Sequence, residues 1–116
     1  IPCRRFFRRV FTNVALAHAV ASQGRVAEAE ALVQPELERY LAEQKAGAAG
    51  TTFSRDLAYA YYVAALTQPA DAQGRARRTA HLGAAARAFG QLSVEARQLS
   101  DVHAIEQLVI AARQAP

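Results

Sequence analysis

The sequence predicts an all-α domain of five to six helices, folded as stacked antiparallel helical hairpins. Apolar residues recur at three- and four-residue steps along almost the whole chain, with no convincing alternating strand pattern. Alanine fills about a quarter of the 116 positions and arginine outnumbers lysine thirteen to one, and both residues head the helix-propensity scale. A seven-residue stretch also repeats: Ala15-Leu16-Ala17-His18-Ala19-Val20-Ala21 aligns with Ala58-Tyr59-Ala60-Tyr61-Tyr62-Val63-Ala64, small on small and bulky on bulky, at an offset of 43. Small residues at fixed intervals let one helix lie close on its neighbour, as stacked hairpins require. Helix content is expected to exceed about 65%, against the usual third.

The first helix carries the stripe Phe7, Val10, Phe11, Val14, Ala17 and Ala21 and stops at Gly24. The second carries Val26, Ala29, Leu32, Val33, Leu37, Tyr40 and Leu41 and runs to the segment Ala46-Gly47-Ala48-Ala49-Gly50. Pro35 lies inside it and cannot donate to the carbonyl one turn back, so a kink near Ala31 is expected. Together these make a hairpin over residues 6–46.

Thr51, Thr52 and Ser54 are N-cap candidates for the third helix. It has Leu57, Tyr61 and Ala64 on one face and Tyr59, Tyr62, Val63 and Leu66 on the other, so it is expected to be central. Asp71 caps the fourth, whose stripe is Leu82, Ala86, Phe89 and Leu92 and which Gly74 and Gly83 weaken, closing a second hairpin over residues 52–92. Ser93 and Asp101 are expected to cap a short helix around Val94–Leu99 and a last helix with Ile105, Leu108, Val109 and Ala112. These two form a C-terminal cap over residues 93–114.

Length and composition restrict the function class. The chain makes one domain, residues 1–116. With 52% hydrophobic and 21% charged residues, and a mean hydropathy of −0.06, it is balanced like a globular domain and not like a disordered tail. The longest apolar run, Leu57 to Leu66, is ten residues, against the roughly 18 to 20 that a membrane span needs. One cysteine allows no intrachain disulfide and no cysteine-based metal site. The net charge of +4 is local: residues 1–10 hold Arg4, Arg5, Arg8 and Arg9 and no acid, and the other ten basic side chains balance the ten acidic ones. A basic face would have to be this segment or the small Arg75, Arg77, Arg78 cluster.

No catalytic constellation is present. His18, His81 and His103 do not have the spacing of a helical zinc site, and there is no Gly-rich phosphate loop and no nucleophile-elbow motif. Cys3 stands among arginines that lower a thiol pKa, but at a chain end where nothing holds a partner base. The sequence therefore reads as a non-enzyme with no cofactor and no metal.

The run Leu16-Ala17, Val20, Gly24-Arg25-Val26, Glu28-Ala29, Val33 and Leu37 resembles the tetratricopeptide repeat, in which a helix ends at a Gly and an Ala on the next helix packs back against it. The likeness covers about 34 residues well. A second unit, residues 54–92, fits more loosely through Ala60, Val63, Ala85 and Phe89, with an insertion around Gln68–Arg78. The resemblance departs at Pro35, at Asn13 where the family has a large aromatic, and in lacking the closing Pro. It implies a right-handed superhelix of helix pairs whose first helices line a concave peptide groove, and no catalytic residue. Carried over position by position, that groove falls on Phe11, Val14, His18, Ser54, Leu57 and Tyr61. None of these is the Lys, Arg or Asn of a carboxylate clamp, so aromatic and apolar contact would hold the ligand.

The expected function is a protein or peptide interaction module acting as a scaffold, in the C-terminal part of a longer bacterial cytoplasmic protein. His18 and Tyr61 occupy equivalent positions of the repeat and are its expected contact residues. The second reading, from another class, is a nucleic-acid or anionic-membrane surface binder working through Arg4, Arg5, Arg8 and Arg9 on the first helix. Phe6, Phe7 and Phe11 on that helix have no preceding repeat to cover them, so self-association or an upstream domain is expected there.

Overall fold

The computed structural model describes residues 4–115, with side chains from residue 9 onward. Six helices follow one another: α1 (Arg4–Ser22), α2 (Val26–Lys45), α3 (Thr51–Leu66), α4 (Ala72–Gly90), α5 (Val94–Arg97) and α6 (Ser100–Gln114). No strand occurs among the described residues, and outside the connections 23–25, 46–50, 67–71, 91–93 and 98–99 residues 4–114 are helical. The fold is all-α.

The ends of α1 and α2 show why these helices stop where they do. After α1, Gly24 N–H bonds the Ala21 carbonyl (3.0 Å) and Arg25 N–H the Val20 carbonyl (3.2 Å), with Gly24 at φ +83°. After α2, Gly47 at φ +107° repeats the pattern, with Gly47 N–H on Gln44 (3.0 Å) and Ala48 N–H on Glu43 (2.8 Å). Both are Schellman turns, which need a left-handed residue directly after the helix and so select glycine. The three-residue link 23–25 turns the chain, and α2 packs along α1. Pro35 does not end α2, which continues through it to Lys45 with the ring on the exposed side.

Two expected caps are present and two are corrected. Asp71 accepts from Gly74 N–H at 2.7 Å and Ser93 from Ala96 N–H at 3.1 Å, each satisfying a donor of the first turn. Thr51, Thr52 and Ser54 do not cap α3. They lie inside it, and the N-cap is Gly50, which has no side chain to offer. Asp101 does not cap α6 either; Leu99 holds that position, and Asp101 sits in the first turn with its carboxylate on Val102 N–H and on Arg55.

The core is built around α3. Ala58, Ala60, Val63, Ala64 and Ala65 are sealed from solvent, and Phe53, Leu57, Tyr59 and Tyr62 are buried. α3 packs most extensively on α4, and also on α2, α1 and α6, as its apolar circumference requires. α1 contributes Val10, Val14 and Ala17, α2 contributes Val33, Leu37 and Tyr40, α4 contributes Leu82, Ala85 and Phe89, and α6 contributes Val102 and Val109. The offset of 43 is visible in burial: Val10 and Phe53, Val14 and Leu57, Ala17 and Ala60, and Val20 and Val63 are buried at both members of each pair. Ala29 and Ala60 have no exposed surface, so Ala29→Leu or Ala60→Leu forces three extra carbons into a filled interface and is expected to cost about 1–3 kcal/mol. Thermal melts check this, and unchanged midpoints would mean that the helices are not in close contact at these alanines.

Candidate interaction surface

α1 and α3 lie against each other, and helical spacing decides which side chains meet there. Phe11 and His18 are seven residues apart, two turns along one face of α1. Arg55, Tyr59 and Tyr62 follow an i, i+4, i+7 pattern along one face of α3. The Phe11 and Tyr59 ring centroids are 5.6 Å apart. His18 meets both Tyr59 and Tyr62 edge-on at 5.5 Å, and the two tyrosine rings stack at 6.4 Å. Such offset and T-shaped pairs are the favoured arrangements of ring quadrupoles.

A short hydrogen bond of 2.6 Å joins His18 Nδ1 to the Tyr59 hydroxyl. Burial lowers the His18 pKa, and burial followed by the neighbouring Tyr62 raises that of Tyr59. Both groups are therefore uncharged at neutral pH, and the bond joins a neutral imidazole to a neutral phenol. The Tyr62 hydroxyl is also held neutral by burial, against the opposing pull of the Arg78 cation.

Arg55 completes the surface. Its guanidinium lies 5.3 Å from the Phe11 ring centroid, in cation–π range. Asp56 binds it at 2.7 and 2.8 Å, and Asp101 pairs with it from α6. The result is an aromatic seam in which Tyr59 and Tyr62 are buried and Phe11 is half-buried, with a half-buried cation at one end and a half-buried imidazole at the other.

The structure separates the residues that the repeat grouped. Phe11 and His18 are half-buried on the α1–α3 surface, whereas Val14 is wholly buried in the core. Ser54, Leu57 and Tyr61 line a cavity with Gln44 of α2 and Arg87 of α4, and the Tyr61 ring stands 5.8 Å from His81 on α4. His18 and Tyr61 are thus not neighbours on one surface. The sequence marks Tyr59 and Tyr62 on the apolar circumference of α3 but not Arg55, although an i, i+4, i+7 spacing joins the three. Arg9 is exposed, while the side chains of Arg4, Arg5, Phe6, Phe7 and Arg8 and all of Cys3 lie outside the described residues. In the second basic cluster, Arg75 donates to the Ala70 carbonyl and Arg77 to Gln68, so these two serve the local loop.

Among the described residues no three His, Cys, Asp or Glu side chains converge to hold a metal ion, and no helix is long and apolar enough to cross a membrane. The surface offers contact and hydrogen bonding. Compared with known proteins, the chain matches no family model, no curated protein and no solved structure.

Proposed function

We propose that this chain is a non-catalytic interaction module, two helical hairpins stacked in the tetratricopeptide manner, and that a peptide segment of a partner protein docks on the α1–α3 surface. The observation that carries this reading is the joining of the half-buried Phe11 and His18 from one hairpin to the half-buried Arg55 and the buried Tyr59 and Tyr62 from the other. The burial of both members of four offset-43 pairs, from Val10 with Phe53 to Val20 with Val63, supports the stacking. Rigid aromatic rings and a pre-oriented arginine are the side chains that dominate binding energy in protein interfaces, because they give large contact for little lost rotamer freedom.

The test is selection of peptides from a displayed random library against the immobilised chain, followed by amide-shift mapping of a selected peptide. Binding shifts are expected on α1 and α3 around Phe11, His18 and Tyr62. His18→Ala, which removes one hydrogen bond and part of a ring cluster, is expected to lower stability by about 1 kcal/mol and to weaken the peptide at least tenfold. Tyr61→Ala, which alters a different side of α3, is expected to keep the affinity. A library that yields no binder, or binders whose shifts avoid α1, overturns the reading.

A further inference from the structure

On the side of α3 that faces α2 and α4, two cavities of about 340 and 180 Å³ meet at Gln44, Ser54 and Gln91 and form one trough. It runs from the start of α3, at Gly50 and Thr51, toward Tyr61 and Arg87. Ten residues of α3 separate Thr51 from Tyr61, about 15 Å of helix, which accommodates four or five extended residues at about 3.3 Å each.

Three features give the trough one electrostatic sign. The first is the open N-terminus of α3: Gly50 caps without a side chain, and no acceptor among the described residues meets the N–H groups of Thr51 and Thr52. Unsatisfied N–H groups and the positive end of the helix dipole favour an anion there. The second is Ser54, only 9% exposed, which lines both cavities and whose hydroxyl has no hydrogen-bond partner among the described residues. A hydroxyl that reaches a cavity without a partner in the protein is free to bond an acceptor from outside the fold. The third is the lining itself, which holds no carboxylate, while Arg87 supplies a cation. Gln44 and Gln91 flank the junction, each with a donor and an acceptor suited to a peptide backbone.

We propose that this trough is a second binding site, separate from the α1–α3 surface, for a short acidic polypeptide segment. One carboxylate caps the N-terminus of α3 beside Ser54, the carboxamides of Gln44 and Gln91 read the backbone, and a further acidic group lies toward Arg87. The missing helix cap is supplied by the ligand.

The full chain, labelled with nitrogen-15, is titrated with a blocked pentapeptide carrying two glutamates, with its glutamine counterpart, and with inorganic phosphate. The acidic peptide is expected to shift the Thr51, Thr52 and Ser54 amides saturably, at least tenfold more tightly than the glutamine peptide. Arg87→Gln and Ser54→Ala, at unchanged melting temperature, are each expected to weaken it about fivefold or more. Equal affinity for the glutamine peptide, saturation by phosphate at the same concentration as the peptide, or shifts confined to Phe11 and His18 each overturn the proposal.

Discussion

Arg55→Ala is expected to destabilise the fold by about 3–5 kcal/mol, because it leaves Asp56 buried without its cation. Asp56 is 4% exposed and its carboxylate is held by Arg55 alone among the described side chains. Burial pushes the Asp56 carboxyl above its ordinary range, while the hydrogen bonds and charge of Arg55 pull it down. Removing Arg55 leaves only the upward push. The pair with Asp101 adds little, since that carboxylate is largely exposed. The cation–π contact with Phe11 adds about 0.5–1 kcal/mol.

The pH dependence has a definite sign. A carboxyl whose folded pKa lies above its unfolded one binds its proton more tightly when folded, so its contribution is greatest at low pH and falls as pH rises through the carboxylate range. Without Arg55 this behaviour of Asp56 becomes stronger, and the deficit of the variant is therefore largest at pH 7 and shrinks toward pH 4. Asp101 behaves oppositely in the wild type: Arg55 lowers its pKa, so its contribution is present above the ordinary carboxylate range and fades as pH falls. Urea midpoints at the two pH values measure both effects. Adding Asp56→Asn to Arg55→Ala is expected to recover most of the loss, since the amide carries no charge to strand. A deficit below about 1 kcal/mol at both pH values, within the range of an exposed ion pair, or no recovery with Asp56→Asn, would place the Asp56 charge in contact with solvent.

Features made by neighbouring residues were legible in the sequence. Asp71 and Ser93 each cap a donor three residues ahead, and Gly24 ends α1 through bonds spanning five residues or fewer. The start of α3 was not legible, because Thr51, Thr52 and Ser54 all had hydroxyls suited to a cap. The Schellman turn at Gly47 and residues 48–50 of the same link set where the chain turns, and the cap falls on Gly50.

The site was half legible for a related reason. The offset of 43 correctly matched the buried small positions, as Ala17 and Ala60 show, but it equated His18 with Tyr61. Each residue turns the helix by about 100°, so Tyr59 and Tyr62 share a face and Tyr61 points away from it toward α4. Where α1 has the half-exposed Leu16, α3 has Tyr59, whose longer side chain reaches His18. The ion pair of Arg55 with Asp101 spans 46 residues and has no local pattern at all.

Gly74→Ala is expected to cost about 3 kcal/mol, at the upper end of overpacking substitutions, whereas Gly83→Ala is expected to stabilise by about 0.5–1 kcal/mol. From sequence both glycines are weaknesses of α4, and helix propensity predicts a gain at each. At Gly83 an added methyl meets only the Arg87 guanidinium, at 3.5 Å, which is ordinary contact with a flexible side chain. At Gly74 the same methyl would lie 1.9 Å from the Pro69 carbonyl oxygen and 2.7 Å from its carbon. The chain between α3 and α4 folds back onto the first turn of α4, and the Asp71 cap on Gly74 N–H holds it there at 2.7 Å. Relieving the clash therefore moves the backbone of residues 67–71 and loosens the cap as well. Parallel thermal melts of the two variants decide the matter. Both exchange one hydrogen for one methyl in the same helix, so opposite shifts can come only from the approach of Pro69, and a gain at Gly74 equal to that at Gly83 would remove that contact from the fold.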